Sequence, residues 1–173
     1  MCEIFIVNGA PCAGKTTFEN YVGEFIGKNN CLIISTIDPI KVIAADLGWD
    51  GSKTPENRKF LSDLKDMLTA WKDTSFKTVT ELVDTFLKSA KRESVVFIDC
   101  REPKEIERLK QYYNCKTLLV RREGHEEKIS NHADAEVENY NYDIVIENNG
   151  TKADLIDLVA NFILNNVYKK EPV

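Results

Sequence analysis

The chain has 173 residues, of which 43% are hydrophobic and 29% charged, and it carries a net charge of −5. That length and balance predict one soluble domain with a single sizeable core. The acidic total excludes the broad basic face of a general nucleic-acid binder, although a local cluster of cations for phosphates stays compatible with it. Cys2, Cys12, Cys31, Cys100 and Cys115 form no C-x-x-C pair and no zinc spacing, so free thiols in a reducing compartment are expected. An apolar strand starting at Cys2 or Glu3 leaves no room for a secretory leader. No apolar run approaches the roughly 20 residues that span a bilayer. The expectation is a cytoplasmic protein with no membrane and no nucleic-acid partner.

In chain order, short apolar runs alternate with helical patterns. Strands are predicted at Ile4–Val7, Leu32–Ile37, Val95–Asp99, Thr117–Val120 and Ile144–Ile146, each apolar on consecutive positions as in strands covered on both faces. A helix carrying Tyr21, Val22, Phe25 and Ile26 follows the first strand. Phe60, Leu61, Leu64, Met67, Leu68 and Trp71 form a helical stripe, and Val79, Leu82, Val83, Phe86, Leu87 and Ala90 form another. Pro103 opens a helix with Ile106, Leu109 and Tyr113. Leu155, Leu158, Val159, Phe162 and Ile163 make the last stripe. The alternation implies an α/β fold in three layers, with a five-stranded parallel sheet and helices on both faces. No repeat or linker divides residues 1–173.

The strongest motif lies between the first strand and first helix: Gly9, Ala10, Pro11, Cys12, Ala13, Gly14, Lys15, Thr16, followed by Thr17. This is G-x-x-x-x-G-K-[ST] in the strand-then-helix context that gives the pattern its meaning. Glycines let several backbone N–H groups converge on one anion, and the helix N-terminus adds partial positive charge there. Lys15 is expected to reach the β- and γ-phosphates of ATP, and Thr16 to offer its hydroxyl to Mg²⁺. Cys12, near a helix N-terminus, is read as a small tolerated side chain rather than a redox centre.

With this motif in place, the order of elements resembles the nucleoside and deoxynucleoside monophosphate kinases of the P-loop superfamily. The resemblance covers nearly the whole chain. It implies a helical acceptor-binding insert at about 39–92 and a short lid at about 121–139. Trp49-Asp50-Gly51 with Arg58, Phe60 and Leu61 is similar to their insert, where an arginine grips the acceptor phosphate. Phe97-Ile98-Asp99-Cys100-Arg101 looks like their third-strand D-x-R. Val120-Arg121-Arg122 opens the charged segment Glu123 to Glu138 where they carry the lid. Asn149, Gly150 and Thr151 resemble their base-side loop. The departure is that no arginine follows Arg122 within the lid.

Elementary chemistry assigns compatible roles. Phosphoryl transfer needs positioning and positive charge around the moving group. Arg58, Arg101, Arg121 and Arg122 are placed beside the crevice expected at the carboxyl ends of the strands. Asp99 ends a strand beside the P-loop, where a carboxylate holds Mg²⁺ directly or through water. Asp38 has three readings: a base for a hydroxyl acceptor, a ligand to a magnesium-bound water, or an N-cap for a helix beginning at Pro39. Thr151-Lys152-Ala153-Asp154 matches a GTPase specificity motif. The same residues form a helix-capping arrangement, and the third strand lacks the D-x-x-G of a switch protein. His125 and His132 do not make a metal site. The favoured reading is an ATP-dependent phosphotransferase, monomer or homodimer, acting on a small acceptor, with a (deoxy)nucleoside monophosphate preferred. The alternatives are a kinase of a hydroxyl-bearing metabolite or nucleoside, and a nucleotide-dependent binding protein without turnover.

Overall fold

The computed structural model describes residues 2–124, 137 and 140–168. The elements run β1 (Glu3–Asn8), α1 (Lys15–Ile26), β2 (Cys31–Ser35), α2 (Asp38–Asp46), α3 (Pro55–Lys72) and α4 (Thr74–Leu87). They continue with β3 (Val95–Asp99), α5 (Pro103–Tyr113), β4 (Lys116–Arg121), β5 (Ile144–Glu147) and α6 (Lys152–Asn166). All four strand pairings are parallel, in the order β2-β3-β1-β4-β5. This is the α/β sheet with helices on both faces that the alternating pattern predicts.

The consecutive apolar positions of the strands face two cores. Phe5, Val7, Phe97, Leu118 and Val120 pack on one side against Phe18, Val22 and Ile26 of α1 and Leu155, Val159, Phe162 and Ile163 of α6. Phe162 meets Phe5 at 5.0 Å and Phe18 at 5.2 Å between ring centroids, in edge-on geometry. Ile6, Ile34, Val96 and Ile98 pack on the other side against Phe76, Val79 and Val83 of α4 and Ile106 and Leu109 of α5. Each such side chain, fully buried, contributes about 1.5–3 kcal/mol of transfer free energy. A third, smaller cluster joins α2 to α3 through Ile40, Ala44, Leu64 and Leu68.

Several boundaries and faces differ from the sequence expectation. Strand β2 stops at Ser35, because Thr36 and Ile37 turn into α2 while the Thr36 N–H donates to the Asp99 carbonyl at 3.0 Å. Phe25 is 55% exposed, and the buried face of α1 runs through Phe18, Val22 and Ile26 instead. The stripe of α3 is wider than its contact: Leu64 and Leu68 are buried, while Phe60, Met67 and Trp71 are exposed. Leu82 is likewise exposed, and Ala90 lies beyond the end of α4. Among the described residues no helix is long and apolar enough to cross a membrane.

Candidate functional site

Strand order reverses at β1, which lies between β3 and β4, and open α/β sheets bind ligands outside the carboxyl ends of the strands at such a point. Val7 of β1 and Ser35 of β2 are both in register with Asp99 of β3. The P-loop, the β2–α2 turn and the Asp99–Glu102 loop therefore open onto one crevice.

The loop after Asn8 is forced into its path by two close approaches. A Cβ on Gly9 would lie 2.5 Å from the Val120 carbonyl oxygen, and one on Gly14 would lie 2.3 Å from Asn148 Nδ2. Gly14 also takes φ 95°, and Cys12 takes φ 68°, a left-handed conformation that carries a steric cost for a side chain. Helix α1 starts at Lys15 with no side-chain cap and no acidic residue in its first turn. Its first N–H groups are thus left to an anion, the arrangement that suits a phosphate.

Lys15 and Asp99 meet at 2.5 Å, Nζ to Oδ2. Asp99 Oδ1 is buried and receives no hydrogen bond, and neither do both carboxyl oxygens of Glu19. Glu19 stands one helical turn after Lys15 and is 0% exposed. Burial first, and then the neighbouring Asp99, push its carboxyl up to about 9, against a smaller opposing pull from Lys15. A proton on Glu19 supplies the donor that two facing carboxylates lack. Glu19 was legible as an acid set among Phe18, Val22 and Ile26 on a buried face, a signal the motif reading passed over.

The crevice at these strand ends has a volume of about 480 Å³. Lys15, Thr16 and Asp99 line one end of it, and Asp38, Arg58 and Arg101 also line it. Lys41, Lys53, Lys65 and Glu102 line it as well, so six cations face three carboxylates. Asp38 is not an N-cap: the cap is Ile37, and Asp38 lies inside the first turn. Its Oδ2 accepts the Ser35 N–H at 2.8 Å, and its Oδ1 pairs with Lys41 Nζ at 2.9 Å. Arg58 Nε donates to the Lys53 carbonyl at 3.1 Å, which turns the guanidinium at the start of α3. That start is set by Thr54, whose hydroxyl accepts the Asn57 N–H, with Pro55 in the first turn.

Lys65, two turns along α3 from Arg58, places its ammonium 2.8 Å from both Glu102 and Glu105. Burial pulls Lys65 down, but Glu105 and Glu102 outweigh it and hold the ammonium above its ordinary value. Cys100, Glu102 and Glu105 lie close enough together to ligate a cation, and the Lys65 ammonium takes that position.

The remaining predicted residues lie away from this crevice or are engaged elsewhere. Arg121 pairs with Glu147 at 3.0 Å across β4 and β5, and neither it nor Arg122 is among the crevice-lining residues. Asn149 Oδ1 accepts the Glu123 N–H at 2.9 Å. Thr151 and Asp154 cap α6 reciprocally, the local role the sequence suggested for this GTPase-like tetrapeptide. Gly150 precedes them, where a Cβ would meet the Asp154 carboxylate at 2.4 Å. Asn148, to which the sequence assigned no separate role, is buried and donates to the Ala13 carbonyl at 2.8 Å, bracing the P-loop from the end of β5. Most of Glu123 to Glu138, with His125 and His132, lies outside the described residues.

A dephospho-CoA kinase from Campylobacter jejuni superposes on this arrangement with a TM-score of 0.53 at 13% identity, over 96% of this chain and 98% of that one. The fold is that of a P-loop kinase. A shikimate kinase from Aquifex aeolicus matches the same P-loop kinase fold with a TM-score of 0.50 at 11% identity, over 94% of this chain and 97% of that one. No family model matches the sequence, and comparison with curated proteins finds no match. The resemblance to nucleoside monophosphate kinases therefore holds at the level of the P-loop kinase fold.

Proposed function

We propose that this chain is an ATP-dependent phosphotransferase that moves the γ-phosphoryl group to a small anionic acceptor bound in the crevice. The observation that carries the reading is the continuity of that crevice. One cavity joins Lys15 and Thr16 at the uncapped start of α1 to Lys41 and Arg58 of the insert and to Arg101 in the loop after β3. An excess of cations over carboxylates favours two phosphate-bearing ligands side by side, and arginine forks suit phosphate oxygens. In this reading Lys15 exchanges Asp99 for the phosphates of ATP, and Arg58 and Arg101 orient the acceptor. The P-loop from Gly9 to Thr17 holds the phosphate chain, and Asn149 to Thr151 lie toward the base.

Mg²⁺ suits the donor set. The Thr16 hydroxyl and the Asp99 carboxylate, both on the crevice wall, are the oxygens that would hold it, and the ion would neutralise charge on the transferred group.

A nucleoside monophosphate is the favoured acceptor, because the insert and its arginine match that class. One observation favours the second reading, a kinase of a compact hydroxyl-bearing anion: no aromatic ring lines the crevice among the described residues, whereas bases commonly stack on aromatic rings. Asp38 supplies a carboxylate for a hydroxyl acceptor on the same wall. The test is ADP release from MgATP over a panel of nucleoside monophosphates, nucleosides, hydroxy acids and phosphorylated sugars. Turnover on a monophosphate supports the first reading. Turnover only on unphosphorylated acceptors moves the assignment to the second, and ADP release with none of them contradicts phosphotransfer.

A further inference from the structure

Asn8, the last residue of β1, is buried with 1% of its surface exposed, and every polar atom of its side chain is engaged. Its Oδ1 accepts the N–H of Gly9, the first P-loop residue, at 2.8 Å. Its Nδ2 donates to the Tyr142 hydroxyl at 2.8 Å and to the Arg101 carbonyl at 3.4 Å. The Tyr142 hydroxyl in turn donates to the Val137 carbonyl at 2.9 Å. The donors and acceptors permit only this orientation of the amide, since a flipped Asn8 would turn its NH₂ toward the Gly9 N–H. Alternation along β1 sends Asn8 to the same face as Ile6, under the loop that carries Arg101.

We infer that Asn8, locked by Tyr142, is a positioning residue that sets the P-loop and the Arg101 backbone relative to each other. The inference rests on the proposed phosphotransfer, in which the P-loop holds the donor and Arg101 faces the acceptor. A single amide reaches the first loop N–H and the carbonyl of the acceptor-side arginine, so rotation of that amide disturbs both at once. Satisfied buried networks of this kind specify one geometry, and a missing member loosens the rest. Tyr142 matters here because its hydroxyl is the near partner of the Asn8 amide and comes from the chain entering β5. No catalytic contact is assigned to either side chain.

The experiment compares wild type with Tyr142→Phe, which removes one hydroxyl and leaves the ring, and with Asn8→Ala. Amide hydrogen exchange of the segment 8–16 is measured in the free protein, and kcat and the KM for ATP are measured with the panel acceptor that gives the fastest ADP release. Tyr142→Phe is expected to raise exchange in 8–16 roughly 3- to 10-fold, the loss of about one neutral hydrogen bond, with exchange in α6 unchanged. A fall in kcat of similar size is expected with the KM for ATP nearly constant. In the Asn8→Ala background Tyr142→Phe should add nothing further. Unchanged exchange in 8–16, or a rise spread evenly over the sheet and helices, overturns the inference. The exchange arm needs no turnover, so its outcome is separate from failure of the phosphotransfer reading.

Discussion

Between Phe18 and Val22 on the buried side of α1, Glu19 brings a second carboxyl group up to Asp99, with Lys15 as the neighbouring cation. Its pKa is raised from 4.5 to about 9, chiefly by burial. In the window between those values the unfolded chain loses this proton while the folded chain keeps it, so stability falls as pH rises. Glu19→Gln keeps the shape and a donor for Asp99 but has no charge to suppress. It should be more stable than wild type at pH 8 by about 1–3 kcal/mol, with the gap closing toward pH 4.5. Thermal unfolding midpoints across that range measure it; a gap that is constant with pH, or reversed, contradicts the buried neutral carboxyl. Asp38 tests acceptor chemistry. Asp38→Asn still accepts the Ser35 N–H and loses mainly its charge opposite Lys41. For a monophosphate acceptor, whose oxygen is already an anion, kcat should fall by about tenfold or less. For a hydroxyl acceptor that needs a base the fall should reach ~10²–10⁴-fold.

At the scale of elements, the proposed acceptor insert is tied to the core by Lys65 of α3 and by Glu102 and Glu105 around the start of α5. Removing the ammonium leaves two half-buried carboxylates facing each other without a counter-charge. Lys65→Ala should therefore destabilise the protein by on the order of 3 kcal/mol, and much less in a Glu102→Gln, Glu105→Gln background. Urea unfolding of the single, double and triple variants gives that coupling, and equal losses in both backgrounds would show that the pair is not what holds α3. The elements themselves were largely readable. Val95–Asp99 was placed with its observed limits, and the α6 stripe and the Thr151–Asp154 box follow from spacing alone, because both are local. The bracing contacts were not readable. Asn8 meets Arg101 and Tyr142 across 93 and 134 positions, and Asn148 meets Ala13 across 135. A buried asparagine looks in sequence like any turn former until the sheet order brings its partners to it. The exposed half of α3 misled for a related reason: Met67 and Trp71 continue the helical period, but they lie beside the Leu64 and Leu68 face that packs on α2 and stay exposed.

Across the whole molecule, the parallel sheet puts three loops of different origin at one end, and the site is the meeting of those loops. β1 contributes the P-loop, β2 contributes Ser35 to Asp38, and β3 contributes Asp99 to Glu102, while the insert leans over them with Arg58. Arg121 and Arg122 stand apart from this convergence, with Arg121 held by Glu147, so among the described residues the arginines that line the crevice are Arg58 and Arg101. We propose that this junction transfers a phosphoryl group with Lys15 at its donor end. The most direct measurement is the rate of label transfer from γ-³²P-ATP to the best acceptor by wild type and by Lys15→Met, with folding checked by circular dichroism. A folded variant slowed by on the order of 10²-fold or more, as when a transition-state contact is lost, is the predicted result. Near wild-type transfer by a folded Lys15→Met protein would contradict it.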